Sequence, residues 1–127
     1  MSKIMVVDDE ELVRSILKFL LEKEGYAVVE ASDGEECLDK VAAERPDLIL
    51  LDIMLPGIDG WEVCKKIKED EETKDIPVIV LTVRTSDADK LKSLRYSHAD
   101  VHIDKPYDNE ELLGTIEMFL KSRKKRE

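Results

Sequence analysis

Leu48-Ile49-Leu50-Leu51-Asp52 is a run of four apolar residues closed by an acid. A strand with one wet face alternates apolar and polar side chains, so an unbroken apolar run fits a strand covered on both faces, as in a parallel sheet. Ile4–Val7 and Val78–Leu81 repeat the pattern, and Ala27–Val29 and Val101–Ile103 are weaker versions of it. Between these runs the period changes. Leu12, Val13, Ile16, Leu17, Leu20 and Leu21 recur at helical spacing, and Leu112, Ile116 and Leu120 repeat every four residues. Asp33 with Glu36, and Ser86 with Asp89, resemble capping boxes, and Pro46 after Arg45 closes the second helix. Five strands alternating with five helices predict an α/β fold, a (βα)5 doubly wound parallel five-stranded sheet between two helical layers with right-handed crossovers.

The chain has 127 residues, enough for one domain with a real core. We expect a domain over 1–120 followed by a basic tail, 121–127. Hydrophobic residues make up 43% and charged residues 39%, which excludes a disordered chain. No apolar run approaches the ~18–20 residues needed to span a bilayer, and the first residues run straight into acids rather than forming a secretory signal, so a cytoplasmic protein with no membrane insertion is expected. Cys37 and Cys64 are too few for a disulfide framework and lack ligand spacing. The tail holds five bases and one acid, leaving 15 bases and 29 acids, a net −14, on the rest. A body so acidic repels phosphate backbones and argues against direct nucleic-acid binding.

Ligands of an open parallel sheet bind beyond the carboxyl ends of its strands. Strand one ends in Asp8-Asp9, strand three in Asp52, strand four in Thr82 and strand five in Lys105. Asp33 follows strand two but has a capping role. Three acids held together repel one another and tend to keep their protons, a penalty that a divalent cation removes. Carboxylates, a carbonyl and water are the ligands Mg²⁺ prefers, and Mn²⁺ takes the same donors. A phosphoryl group there would meet the metal, the Lys105 ammonium and the Thr82 hydroxyl, and Asp52 would be the nucleophile. The pattern reads as metal-dependent phosphoryl transfer to Asp52.

Four motifs, Val6-Val7-Asp8-Asp9-Glu10, Leu51-Asp52-Ile53-Met54-Leu55-Pro56-Gly57-Ile58-Asp59-Gly60, Val80-Leu81-Thr82 and Ile103-Asp104-Lys105-Pro106, occur in order at strand ends. Together they resemble the receiver domain of two-component response regulators, from Lys3 to about Leu120. The resemblance implies a flavodoxin-like sheet of strand order 2-1-3-4-5. It implies that Asp52 accepts a phosphoryl group from a histidine kinase or histidine phosphotransfer protein, with slow hydrolysis by the domain itself. The chain would be a phosphoacceptor regulatory protein of a phosphorelay rather than an enzyme acting on other substrates. Asp9 would ligate the metal directly, Asp8 largely through water, Asp52 by its carboxylate and Met54 by its backbone carbonyl. Thr82 and residue 102 would be the switch residues, and the Lys105–Pro106 bond would be cis. Pro56, Gly60 and Pro106 would shape the site. The face formed by the expected fourth helix, fifth strand and fifth helix would carry the signal to an output protein or domain.

Departures from the family pattern fall mostly around the switch. His102 stands where Tyr or Phe is usual, which brings a pH-titrating ring to that place. Val83 replaces a small residue, Met54 and Arg84 sit at variable positions, and His98 occupies a place often held by Gly. Trp61 reads as packing. Two other classes fit less well. A phosphohydrolase with an aspartyl nucleophile needs an acid two residues after Asp52, where Met54 stands. A nucleotide or flavin module needs a Gly- or Ser/Thr-rich loop after strand one, where Asp-Asp-Glu-Glu stands.

Overall fold

The computed structural model describes residues 1–83 and 95–126. Its elements are β1 (Lys3–Val7), α1 (Glu11–Lys23), β2 (Ala27–Ala31), α2 (Gly34–Glu44), β3 (Leu48–Asp52), α3 (Gly60–Glu69), β4 (Val78–Val83), β5 (Val101–Lys105) and a C-terminal helix (Asn109–Arg126). Residues 95–97 are also helical. The five strands form one sheet in the order β2-β1-β3-β4-β5. Every neighbouring pair is parallel, as the apolar runs and the family resemblance predict. Ser86, Asp89 and Arg84, and the side chain of Val83, lie outside the described residues.

The period of two along the strands divides the core. Met5, Val7, Ile49, Leu51, Val78 and Val80 face α2 and α3, where they meet Cys37, Val41, Val63, Cys64 and Ile67. Ile4, Val6, Leu48, Leu50, Ile79, Leu81 and Ile103 face the other way, onto Leu17, Leu21, Leu112, Ile116 and Leu120. Each such fully buried aliphatic side chain contributes about 1.5–3 kcal/mol of transfer free energy. The central strands β1 and β3 are buried along nearly their whole length, while the edge strands β2 and β5 are half-covered.

The helix boundaries follow local chemistry. Asp33 caps α2, accepting from the Glu36 amide at 2.8 Å, and Arg45 ends the helix in the left-handed region just before Pro46. The capping box is not reciprocal: the Glu36 carboxylate accepts from the amide of Ser32, at 2.5 Å, rather than from Asp33. This contact holds the Glu36 carboxyl below the usual carboxylate range. The inward stripe of α1 is narrower than its periodicity suggests. Leu17 and Leu21 are buried, but Leu12 and Ile16 lie on the outer surface with Phe19, because the sheet covers only one side of a single helix. His98 takes a positive φ of 59°, a left-handed conformation that glycine adopts without strain.

Candidate functional site

The acidic site is assembled at the carboxyl edge of the sheet. Asp8 follows β1 directly; its amide donates to the carbonyl of Ala31 at 3.1 Å, tying the start of the acidic turn to the end of β2. Its side chain does not cap α1. Instead Oδ1 accepts from the amide of Glu10 at 2.9 Å, and Glu10, the N-cap residue, makes no side-chain cap bond. Asp52 is the last residue of β3, and its Oδ1 accepts from the Met54 amide at 3.1 Å. Lys105 ends β5 and brings Nζ to 3.6 Å from Asp52 Oδ1 and 3.7 Å from Asp8 Oδ2. The bond that follows it, Lys105–Pro106, is cis. Thr82 lies on β4 one residue beyond Leu81, the register partner of Asp52, and opposite Asp104 of β5.

Asp8 and Asp52 are nearly inaccessible, at 3% and 6% of full exposure. Burial pushes the Asp52 carboxyl above its ordinary value, and the neighbouring Asp8 adds to the rise. The Met54 amide and the Lys105 ammonium oppose it. Among the described residues, the Lys105 ammonium faces two buried carboxylates, and the carboxylates of Asp8, Asp9 and Glu10 lie within 4.8 Å of one another. This surplus of hard oxygen donors, held close at a cost in repulsion, fits a divalent cation of the Mg²⁺ type. Glu10 belongs to that cluster although its place in the sequence, beside two acids already assigned, did not single it out.

The turn after Asp52 is shaped by close approach. Gly57 takes φ +75°, and Asp59 caps α3 by accepting from the Glu62 amide at 2.9 Å. Gly60, the first residue of α3, sits so near the end of β3 that a Cβ there would lie 2.6 Å from Ile53 Cα and 2.7 Å from the Asp52 carbonyl. Pro56 is exposed on the same turn, and the Met54 side chain is exposed beside the site.

Asp8, Asp52 and Lys105 are thus in direct electrostatic contact, Asp9 joins Asp8 on the adjoining turn, and the Met54 backbone is bonded to Asp52. His102 is placed differently. It lies three residues before Lys105 on β5 and stacks on Trp61 of α3, with ring centroids 5.3 Å apart and an interplanar angle of 29°. Trp61 packs against the α2–α3 side of the core, as its position in the sequence suggests.

The sequence profile of the response regulator receiver domain matches residues 4–117. Solved structures agree. A CheY-like response regulator receiver domain protein from Methanospirillum hungatei JF-1 superposes with a TM-score of 0.91 at 31% identity, covering 100% of this chain and 99% of its own. The BeF3-activated N-terminal receiver domain of RstA from Klebsiella pneumoniae gives 0.85 at 33%, covering 93% of this chain and 97% of that one. The N-terminal domain of a response regulator receiver protein from Methanoculleus marisnigri JR1 gives 0.75 at 38%, covering 93% and 95%. The chain belongs to the response regulator receiver domain family, the receivers of two-component signalling. Among the described residues, no helix is long and apolar enough to cross a membrane.

Proposed function

We propose that the chain is a phosphoryl-accepting switch of a two-component phosphorelay, with Asp52 as the acceptor. The observation that carries this reading is the pairing of a buried strand-end carboxylate with a lysine ammonium 3.6 Å away and a second buried acid just past the end of the neighbouring strand. The donor is a phosphohistidine of a histidine kinase or phosphotransfer protein. An Asp52 carboxylate oxygen attacks phosphorus, the P–N bond breaks, and the released imidazole takes up a proton. Lys105 balances charge on the oxygens of the transferred group. Thr82 turns its hydroxyl towards them, and His102 is the second switch position. Mg²⁺ (or Mn²⁺), held by Asp8, Asp9, Asp52 and the Met54 carbonyl, would supply further positive charge for those oxygens. Hydrolysis is the same displacement with water as nucleophile, returning Asp52 and inorganic phosphate. Pro56, Gly60 and Pro106 keep the surrounding turns in place.

Residues 1–120 act as the switch unit and 121–127 as a basic tail, in the cytoplasm. The output partner docks on the face of β5, the C-terminal helix and the expected fourth helix, whose residues lie largely outside the described ones. The test is intact mass after incubation with Mg²⁺ and a small acyl phosphate, beside Asp52→Asn and a chelator control. The expected result is one added phosphoryl group, absent from both controls. Addition that survives Asp52→Asn overturns the assignment of the acceptor, and no addition under any condition overturns self-phosphorylation.

A further inference from the structure

The cleft between α1 and α2 adjoins the acidic turn and contains a side chain that the phosphoryl-transfer reading leaves unused. Arg14, one turn into α1, donates from Nη1 to the main-chain carbonyl of Asp8 at 2.8 Å. Its Nε donates to Glu30 Oε1 at 3.3 Å. Glu30 is held in turn: Lys18 lies 3.9 Å from its other carboxylate oxygen, and Lys40 of α2 donates to its carbonyl at 2.6 Å. Arg14, Glu30 and Lys40 line a polar cleft of about 270 Å³. The Arg14 side chain is only 15% exposed, so it is a fixed component of the wall rather than a solvated cation.

Asp8 is therefore held through both of the peptide groups that flank it, the amide on one side bonded to Ala31 and the carbonyl on the other to Arg14. We propose that Arg14, braced by Glu30, is a positioning residue that pre-sets the Asp8-Asp9-Glu10 turn for a divalent cation. The proposal rests on the reading of that turn as a Mg²⁺ site. Arginine suits the task because its planar fork reaches two acceptors at a fixed angle, which a lysine ammonium on a flexible stem cannot do. Residues that orient metal ligands typically change affinity by about 10–100-fold when removed.

Charge and geometry make opposite demands here, which gives the test its sign. A cation beside a dication site repels the metal, so removing the charge alone tightens binding. Removing the clamp loosens it. Arg14→Lys keeps the charge and loses the fork; Arg14→Met loses both. Mg²⁺ dissociation constants are measured by titration calorimetry on the full chain, with thermal melts run in chelator. The expected order of affinity is wild type, then Arg14→Met, then Arg14→Lys, with the last about tenfold weaker than wild type. Glu30→Ala weakens binding more in the wild-type background than in Arg14→Met, where only the loss of its charge is left to act. Hydrogen exchange of the Glu10 amide, followed in chelator, speeds up in Arg14→Lys while core amides and the melting temperature hold. Arg14→Met binding Mg²⁺ as tightly as wild type or more tightly overturns the proposal, as does unchanged Glu10 exchange in Arg14→Lys. A wild-type protein that takes no Mg²⁺ overturns the metal reading itself, and with it the purpose assigned to the clamp.

Discussion

Replacing Gly60 by alanine adds one methyl group where α3 crosses the end of β3. That methyl carbon would stand 2.6 Å from Ile53 Cα, 2.7 Å from the Asp52 carbonyl oxygen and 2.9 Å from Ile53 Cδ1. Carbon atoms rest at about 3.5–4.0 Å, so the helix and strand must separate by close to 1 Å. Two of the three obstacles are backbone and cannot swing aside. The crossing is also tied by hydrogen bonds from Gly60 N to the Ile53 carbonyl (3.1 Å) and from Ile53 N to the Leu81 carbonyl (3.3 Å). Overpacking of this kind costs about 1–3 kcal/mol, and losing one of those bonds costs about 1 more. The expected destabilisation is about 2–4 kcal/mol, a fall in melting temperature of roughly 8–15 °C for a chain of this size. Gly114 is the matched control: it lies inside the C-terminal helix with open space around its missing Cβ. Gly114→Ala should stabilise by about 1 kcal/mol through helix propensity alone. Urea unfolding read by the single tryptophan, Trp61, measures both, with the denaturant slope checked for constancy. Equal or higher stability in Gly60→Ala would refute the close approach, and with it the view that this glycine fixes the position of Asp52.

The remaining predictions concern charge and burial. In chelator at pH 7, Asp52→Asn should be more stable than wild type, because burial raises the Asp52 pKa and so disfavours its charged form. A raised acid pKa gives stability that is present at low pH and lost as pH rises through the folded value. The gap between the two proteins should therefore close on acidification; a gap that widens contradicts the assignment. Burial pushes the thiol of Cys37 up to about 12 and that of Cys64 up to about 11. Neither should react with an aromatic disulfide reagent at pH 8 until urea unfolds the chain, and one fast thiol in native protein would sink this. Lys68 Nζ lies 2.6 Å from Asp100 and donates to the Ile76 carbonyl at 2.7 Å, with its side chain 9% exposed. Asp100 also accepts from the Val78 amide at 2.7 Å. Asp100→Ala removes the counter-charge of a largely buried ammonium and leaves that amide without its acceptor, so it should cost about 2–4 kcal/mol in chemical unfolding and exceed the cost of Lys68→Met. The reverse order would show that Asp100 is not the residue that ties α3 and β4 together at the start of β5.

Different parts of the molecule were legible for different reasons. Leu48–Leu51 announces a central strand because nothing polar interrupts it, and the carboxyl-edge rule then brings Asp8, Asp52 and Lys105 to one place. The end of β2 was harder to see. Ala27–Val29 reads as a short strand, yet pairing continues to Ala31 because the Glu30 carboxylate escapes sideways to Arg14 and Lys18. Arg14 itself carries no mark in the sequence, since an arginine on a helix is most often a solvated one. Leu12 and Ile16 share the spacing of Leu17 and Leu21, and periodicity does not say how much of a helix its neighbours will cover. The tightness around Gly60 is a three-dimensional fact, visible only when α3 is laid across the end of β3.

The division of the core into two clusters by the sheet has a consequence for how this chain tolerates change over generations. Successive residues of β1 and β3 belong to different rooms: Ile4 and Met5, or Leu50 and Leu51, share a peptide bond but no packing partners. A volume lost at Leu17 must be recovered on the side of α1 and the C-terminal helix, since the strand backbones wall it off from Cys37 or Val63. Compensating substitutions should therefore travel within a room and seldom through the wall. The wall itself, whose carboxyl edge carries Asp52 and the acidic turn, stays in place while the furnishing on either side is exchanged.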